Sequence, residues 1–170
     1  MTKRTSMYGR IAAMFSRVAA VGRLSAVAGI AFLVLTGANA AVVVDASGPD
    51  NLAIKGYDPV AYFTEQRPVL GSKQFEYKWM NATWRFESAA HRDAFAAKPE
   101  KYAPQYGGYS AMGIAEGAAA DGDPSVWSML DGKLYLNASE SARKKWLVDI
   151  DGYIESANTK WPQLESGIAR

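Results

Sequence analysis

Phe75, Tyr77 and Trp79 alternate with Glu76 and Lys78, a period of two that predicts a half-buried β-strand. Met80-Asn81-Ala82 supplies a turn, and residues 83–86 return as a second strand with Trp84 and Phe86 on one face. A second hairpin is expected from residues 126–130 and 133–136 around Asp131-Gly132, a pair strongly favoured in two-residue turns. Elsewhere the period lengthens. Ser88 is placed to cap a helix running to about Lys98, whose one large apolar residue, Phe95, must face the core; Pro99 ends or redirects it. Ser139 caps another helix, in which Ala142, Trp146 and Ile150 recur at four-residue steps. Gly152 is expected to kink or break that helix, with Tyr153, Ala157 and Trp161 continuing the stripe until Pro162.

Shorter elements fill the intervals. Val42-Val43-Val44 is a candidate edge strand, followed by a turn at Ser47-Gly48-Pro49-Asp50. Asp58 as cap and Pro59 as first helical residue predict a short helical turn carrying Tyr62 and Phe63. Residues 102–116, rich in glycine and aromatics, read as loop, and Asp121-Gly122-Asp123-Pro124 reads as a turn. The predicted fold is α+β: a small antiparallel sheet built from two β-hairpins with packed helices, in a single domain.

The N-terminal part follows a different rule. Lys3, Arg4, Arg10, Arg17 and Arg23 precede an apolar run at 24–35, and Ala38-Asn39-Ala40 follows it. A basic stretch, an apolar run too short to span a bilayer and a small-x-small site together predict a secretory signal over residues 1–40. Cleavage before Ala41 would deliver the remainder to the periplasm or outside the cell, with no membrane attachment. It also changes the charge: five of the 19 basic residues leave with the signal, so 14 face 17 acids, a formal charge of −3. That balance argues against nucleic acid as a partner. The chain has no cysteine, which excludes disulfides, thiol redox chemistry and thiolate ligands.

Candidate chemistry is sparse. In Tyr106-Gly107-Gly108-Tyr109-Ser110 two glycines free the backbone between two aromatics, and a hydroxyl follows. One reading is a pocket for a small ligand or a protein partner, walled by the tyrosines and anchored by Ser110; the other is a tight turn whose tyrosines are core. A nucleophilic serine needs a base in reach, and His91 is the only histidine. His91 stands one helical turn before Phe95, hence half-buried, and no Cys or carboxylate pair accompanies it. It is a candidate copper or zinc ligand, with a packed, hydrogen-bonded histidine as the simpler reading. Met80, Met112 and Met129 are the soft donors after the signal, and Met112, two residues past Ser110, is the candidate partner of His91 in a Cu(I) site. Asp121, Asp123 and Asp131 lack calcium-loop spacing and read as turn residues.

Several separated motifs agree in order and spacing with one family. Gly-Tyr-Asp-Pro-Val-Ala-Tyr-Phe at 56–63, Trp84-Arg85-Phe86, Arg92-Asp93, Pro99, Tyr102, Pro104-Gln105-Tyr106-Gly107-Gly108-Tyr109, Asp-Gly-Lys-Leu-Tyr-Leu-Asn at 131–137 and Asn158 with Trp161-Pro162 resemble a YHS domain. The likeness is to the exported, single-domain bacterial branch. It covers residues 52–163, leaving 41–51 as a lead-in and 164–170 as a C-terminal tail. The resemblance implies a metal-binding or redox module, whose members often carry Cys or selenocysteine after Gly-Gly-Tyr. Here that position is Ser110, neither a soft ligand nor a redox centre. The expectation is an exported, non-catalytic YHS-type module that binds a small ligand, metal ion or protein partner at the Gly-Gly-Tyr-Ser loop. Two alternatives stand beside it: a thiol- or selenol-type redox enzyme altered by Ser110, and a periplasmic copper protein using His91 and Met112.

Overall fold

A computed structural model describes residues 43–46 and 49–169 of the chain, so the signal-sequence reading of residues 1–40, and Val42, Ser47 and Gly48, lie outside the described residues. Among the described residues the fold is α+β, with six α-helices and two small antiparallel hairpins. A short helix α1 (Ala61–Thr64) precedes the first hairpin, β1 (Ser72–Trp79) and β2 (Ala82–Phe86). Then come α2 (Ala89–Ala97), α3 (Pro99–Tyr102) and α4 (Ala111–Glu116). The second hairpin, β3 (Asp123–Leu130) and β4 (Lys133–Asn137), leads into α5 (Glu140–Trp146) and α6 (Ile150–Ile168).

The hairpins follow the predicted alternation. Trp79 pairs with Ala82 across Met80-Asn81, and Leu130 with Lys133 across Asp131-Gly132. Both central residues of each turn have positive φ, the twist that tight hairpins favour. Each hairpin is its own two-stranded sheet, and each carries a register shift near the open end, between Ser72 and Glu76 and between Asp123 and Trp127. They do not merge into one sheet, but side chains of both hairpins meet in one apolar cluster.

That core has two parts, joined by β4. Leu134 and Leu136 point into a first cluster with Ile54, Val60, Tyr62, Trp84, Phe86 and Phe95. Tyr135, on the opposite face by the alternation of strand side chains, enters a second cluster with Tyr106, Tyr109, Met112, Ile114, Trp146 and Ala157. Phe95 anchors the first cluster as its spacing required: it is fully buried, with ring centroids 4.9 Å from Trp84 and 5.2 Å from Phe86. Removing such a ring costs about 3–5 kcal/mol.

Ser88 and Ser139 cap their helices as expected, accepting from the backbone N–H of His91 and Ala142. Several regions depart from the sequence reading. Residues 43–46 run outside any regular strand, though Val44 and Asp45 are buried. Residues 102–116 are not all loop: a 3-10 turn at Gln105–Gly108 and helix α4 occupy most of it. The break between α5 and α6 falls at residues 147–149, and Gly152 belongs to the new helix. Asp149 caps it through the N–H of Gly152, where a Cβ would stand 2.3 Å from Asp149 Oδ2. Nor does Pro162 end α6, which runs to Ile168 with Leu164 against the second cluster, so residues assigned to a tail continue the helix. Among the described residues no helix is long and apolar enough to cross a membrane.

Candidate metal centre

The Gly-Gly-Tyr-Ser loop is built into the protein interior. A Cβ on Gly107 would lie 1.9 Å from the Val43 carbonyl oxygen, and the Gly107 carbonyl accepts from Asp45 N–H at 2.8 Å. A Cβ on Gly108 would lie 2.9 Å from Ile54, and the Gly108 carbonyl fills the space beside Gly122. Tyr106 donates its hydroxyl to Asn158 Oδ1 at 3.0 Å, and both Tyr106 and Tyr109 lie about 6 Å, centroid to centroid, from Trp161. Burial pushes both phenols above their ordinary pKa, with the carboxylates of Asp45 and Asp121 adding to the shift at Tyr109. The geometry is that of a tight turn whose tyrosines are core.

Ser110 is 1% exposed and caps α4. Its Oγ accepts from the N–H of Gly113 at 3.3 Å and of Ala138 at 3.1 Å, tying α4 to the end of β4. Met112 is buried in the second cluster, its N–H donating to Asn137 Oδ1. The structure thus brings residues 106–110 and Met112 together, but not with His91, whose neighbours belong to other elements.

His91 lies in the first turn of α2, and its neighbours are acids. The loop before α1 delivers Asp58, fully buried, whose Oδ1 accepts from Val60 N–H at 2.8 Å and Ala61 N–H at 3.3 Å. Asp58 thus closes the turn Pro59-Val60 that leads into α1, which begins at Ala61 and not at Pro59 as expected, and its Oδ2 is left aimed at α2. There Oδ2 accepts from Glu87 N–H at 3.0 Å and faces His91 Nδ1 at 2.7 Å. Glu87, four residues before His91 and just ahead of the Ser88 cap of α2, places Oε1 3.8 Å from the same nitrogen. Ligand atoms of Asp58, Glu87 and His91 all lie within 4.8 Å of one another. Around a tetrahedral zinc, ligand atoms sit about 3.4 Å apart, so the two His91 distances bracket the required spacing.

A third carboxyl joins from the end of α1. Glu65 hydrogen-bonds with Glu87, and this contact, followed by burial, raises the Glu87 pKa above the ordinary carboxyl value.

The order Asp58–His91–Thr64 has the outline of a carboxylate–imidazole–hydroxyl relay. Thr64 Oγ1 is 3.5 Å from His91 Nε2 and exposed, and its proton goes to the Val60 carbonyl at 3.1 Å. A hydroxyl so committed accepts from the imidazole rather than surrendering a proton to it. What the cluster offers chemically is one nitrogen and several carboxylate oxygens around a half-buried point, the donor set of a divalent cation.

Sequence reasoning singled out His91 but not its carboxylates. Glu87 at i−4 was the legible signal; Asp58, read only as a helix cap, is 33 residues away. No family model, no curated protein and no solved structure matches this chain.

Proposed function

We propose that the protein is an exported, non-catalytic binding module of the YHS type that holds a divalent metal ion on His91, Asp58 and Glu87, in the periplasm or outside the cell after cleavage before Ala41. The observation that carries this reading is the convergence within 4.8 Å of three side chains able to ligate a metal, Asp58 and Glu87 from the connections before α1 and α2 and His91 from α2 itself. Asp58 is fixed by three backbone N–H groups, so one ligand is held in place before any ion arrives. His91 can bind through Nδ1 with its proton on Nε2, facing Thr64 Oγ1, a second contact that would orient the ring.

The donor set also weighs on the metal. Carboxylates and imidazole suit zinc or Cu(II); Cu(I) prefers thioethers, and Met112 is packed in the other cluster. Chemistry at Ser110 is disfavoured because two backbone N–H groups already occupy its oxygen. The test is calorimetric titration of residues 41–170 with zinc, beside His91→Ala. One ion bound by the parent and none by the variant is the expected result; no binding by the parent overturns the reading.

A further inference from the structure

We infer that the free edge of β3 is a docking surface for a second copy of this chain, the two β3 strands pairing antiparallel across a two-fold axis. β3 pairs only with β4, and among the described residues no other strand or bridge reaches it. Nor do residues 126–130 form any further backbone hydrogen bond there. Leu130 opposite Lys133 closes the two-residue turn as a bonded pair, so Ser128 opposite Tyr135 is the next bonded pair. The N–H and C=O of Trp127 and Met129 therefore point away from β4, towards the open side.

An edge left open is normally guarded by charge. β1, the other strand paired on one side only, carries Lys73, Glu76 and Lys78. β3 has no charged residue from Pro124 to Leu130. Hollows flank it instead. One of about 300 Å³ lies beside Tyr62, Phe63, Trp127 and Met129, and another of about 460 Å³ reaches from β3 to Glu140, Arg143 and Leu147 of the α5 region. Leu147 and the neighbouring Val148 are exposed apolar side chains at that end of the protein.

A second copy fits because the edge is complementary to itself. With Ser128 facing Ser128 of the second copy, Trp127 falls opposite Met129 and Met129 opposite Trp127. Every outward N–H and C=O of these residues then has a partner, and a thioether meets an indole twice. The hollow beside α5 holds both signs, Arg143 and Glu140 at 3.5 Å, so a two-fold can match the acid of one copy to the base of the other.

The chain has no cysteine, so a single introduced thiol reports the register directly. Ser128→Cys would place two thiols across a non-bonded antiparallel pair, whose Cα separation of about 4.5 Å suits a disulfide. Gln74→Cys, exposed on β1, is the control. Met129→Lys puts an ammonium on the open edge. Sedimentation equilibrium should give the purified protein the mass of a dimer. Oxidation should link Ser128→Cys at least about tenfold faster than Gln74→Cys, and Met129→Lys should be a monomer with parent-like circular dichroism. A monomeric parent overturns the inference. So does a dimer in which Ser128→Cys links no faster than Gln74→Cys, because the contact then lies on another face. A folded Met129→Lys that stays dimeric overturns it as well, and if that variant does not fold, the linking rates decide alone.

Discussion

Gly107 and Val43 meet so closely that a single carbon atom has no room between them: a Cβ on Gly107 would stand 1.9 Å from the Val43 carbonyl oxygen. The same residue has φ +64, and Tyr106 before it and Gly108 after it are also left-handed. The bend is thus held by its neighbours on both sides, the lead-in residues 43–46 and the segment around Gly122. Burying Tyr106 and Tyr109 against Trp161 offsets the strain of a left-handed tyrosine.

Two alanine substitutions measure how much of this is packing. Gly132 has a similar φ of +70, yet a Cβ there would meet nothing within 4 Å. Gly132→Ala should therefore lose only the left-handed penalty, about 1–2 kcal/mol. Gly107→Ala adds a clash with backbone, which raises the loss to about 2–5 kcal/mol. Urea midpoints of the two variants decide it; equal losses would mean that residues 43–46 yield easily and that the loop is not a packed joint.

Four tyrosines make stability fall in alkali. Burial, first among the causes in each case, raises the pKa of Tyr62, Tyr106, Tyr109 and Tyr135 above the ordinary 10.0. For Tyr62 the charges of Tyr57, Asp123 and Asp58 add to the effect. The folded state keeps these protons where the unfolded chain releases them. Their contribution is whole below about pH 10 and is lost as pH rises through the folded-state values. Urea midpoints should hold to pH 10 and drop beyond it, with phenolate absorbance from these rings appearing only as structure is lost. Ionisation of all the tyrosines near pH 10 with the midpoint unchanged would refute it.

What could be read beforehand was local. Strand alternation, the Asp131-Gly132 turn, and serines three residues ahead of the N–H they cap are properties of a few adjacent residues, and they hold in the structure. Helix α4 was missed because six residues carry less than two turns of pattern, and because Ser110, its cap, sits beside glycines that signal a loop. The acids around His91 were missed for another reason. Asp58 has two oxygens, and sequence assigns only one of them, to the cap; the other crosses to α2 through a fold that periodicity does not describe.

Pro162 is the residue where local preference and the structure disagree most. It lies inside α6, where it removes the N–H that would reach the Asn158 carbonyl and crowds that turn. The helix continues because Trp161 and Leu164 on its inner face pack against the second cluster. Beyond it, Glu165 Oε1 accepts from Val43 N–H at 3.1 Å, so the last turns also hold the lead-in residues. If packing alone carries the helix through, Pro162→Ala restores a hydrogen bond and relieves the ring, a gain of about 1–3 kcal/mol. At roughly 3 °C per kcal/mol the Tm should rise by several degrees. An unchanged or lower Tm would assign a different role to the proline: a bend that aims Leu164 at the core and Glu165 at Val43.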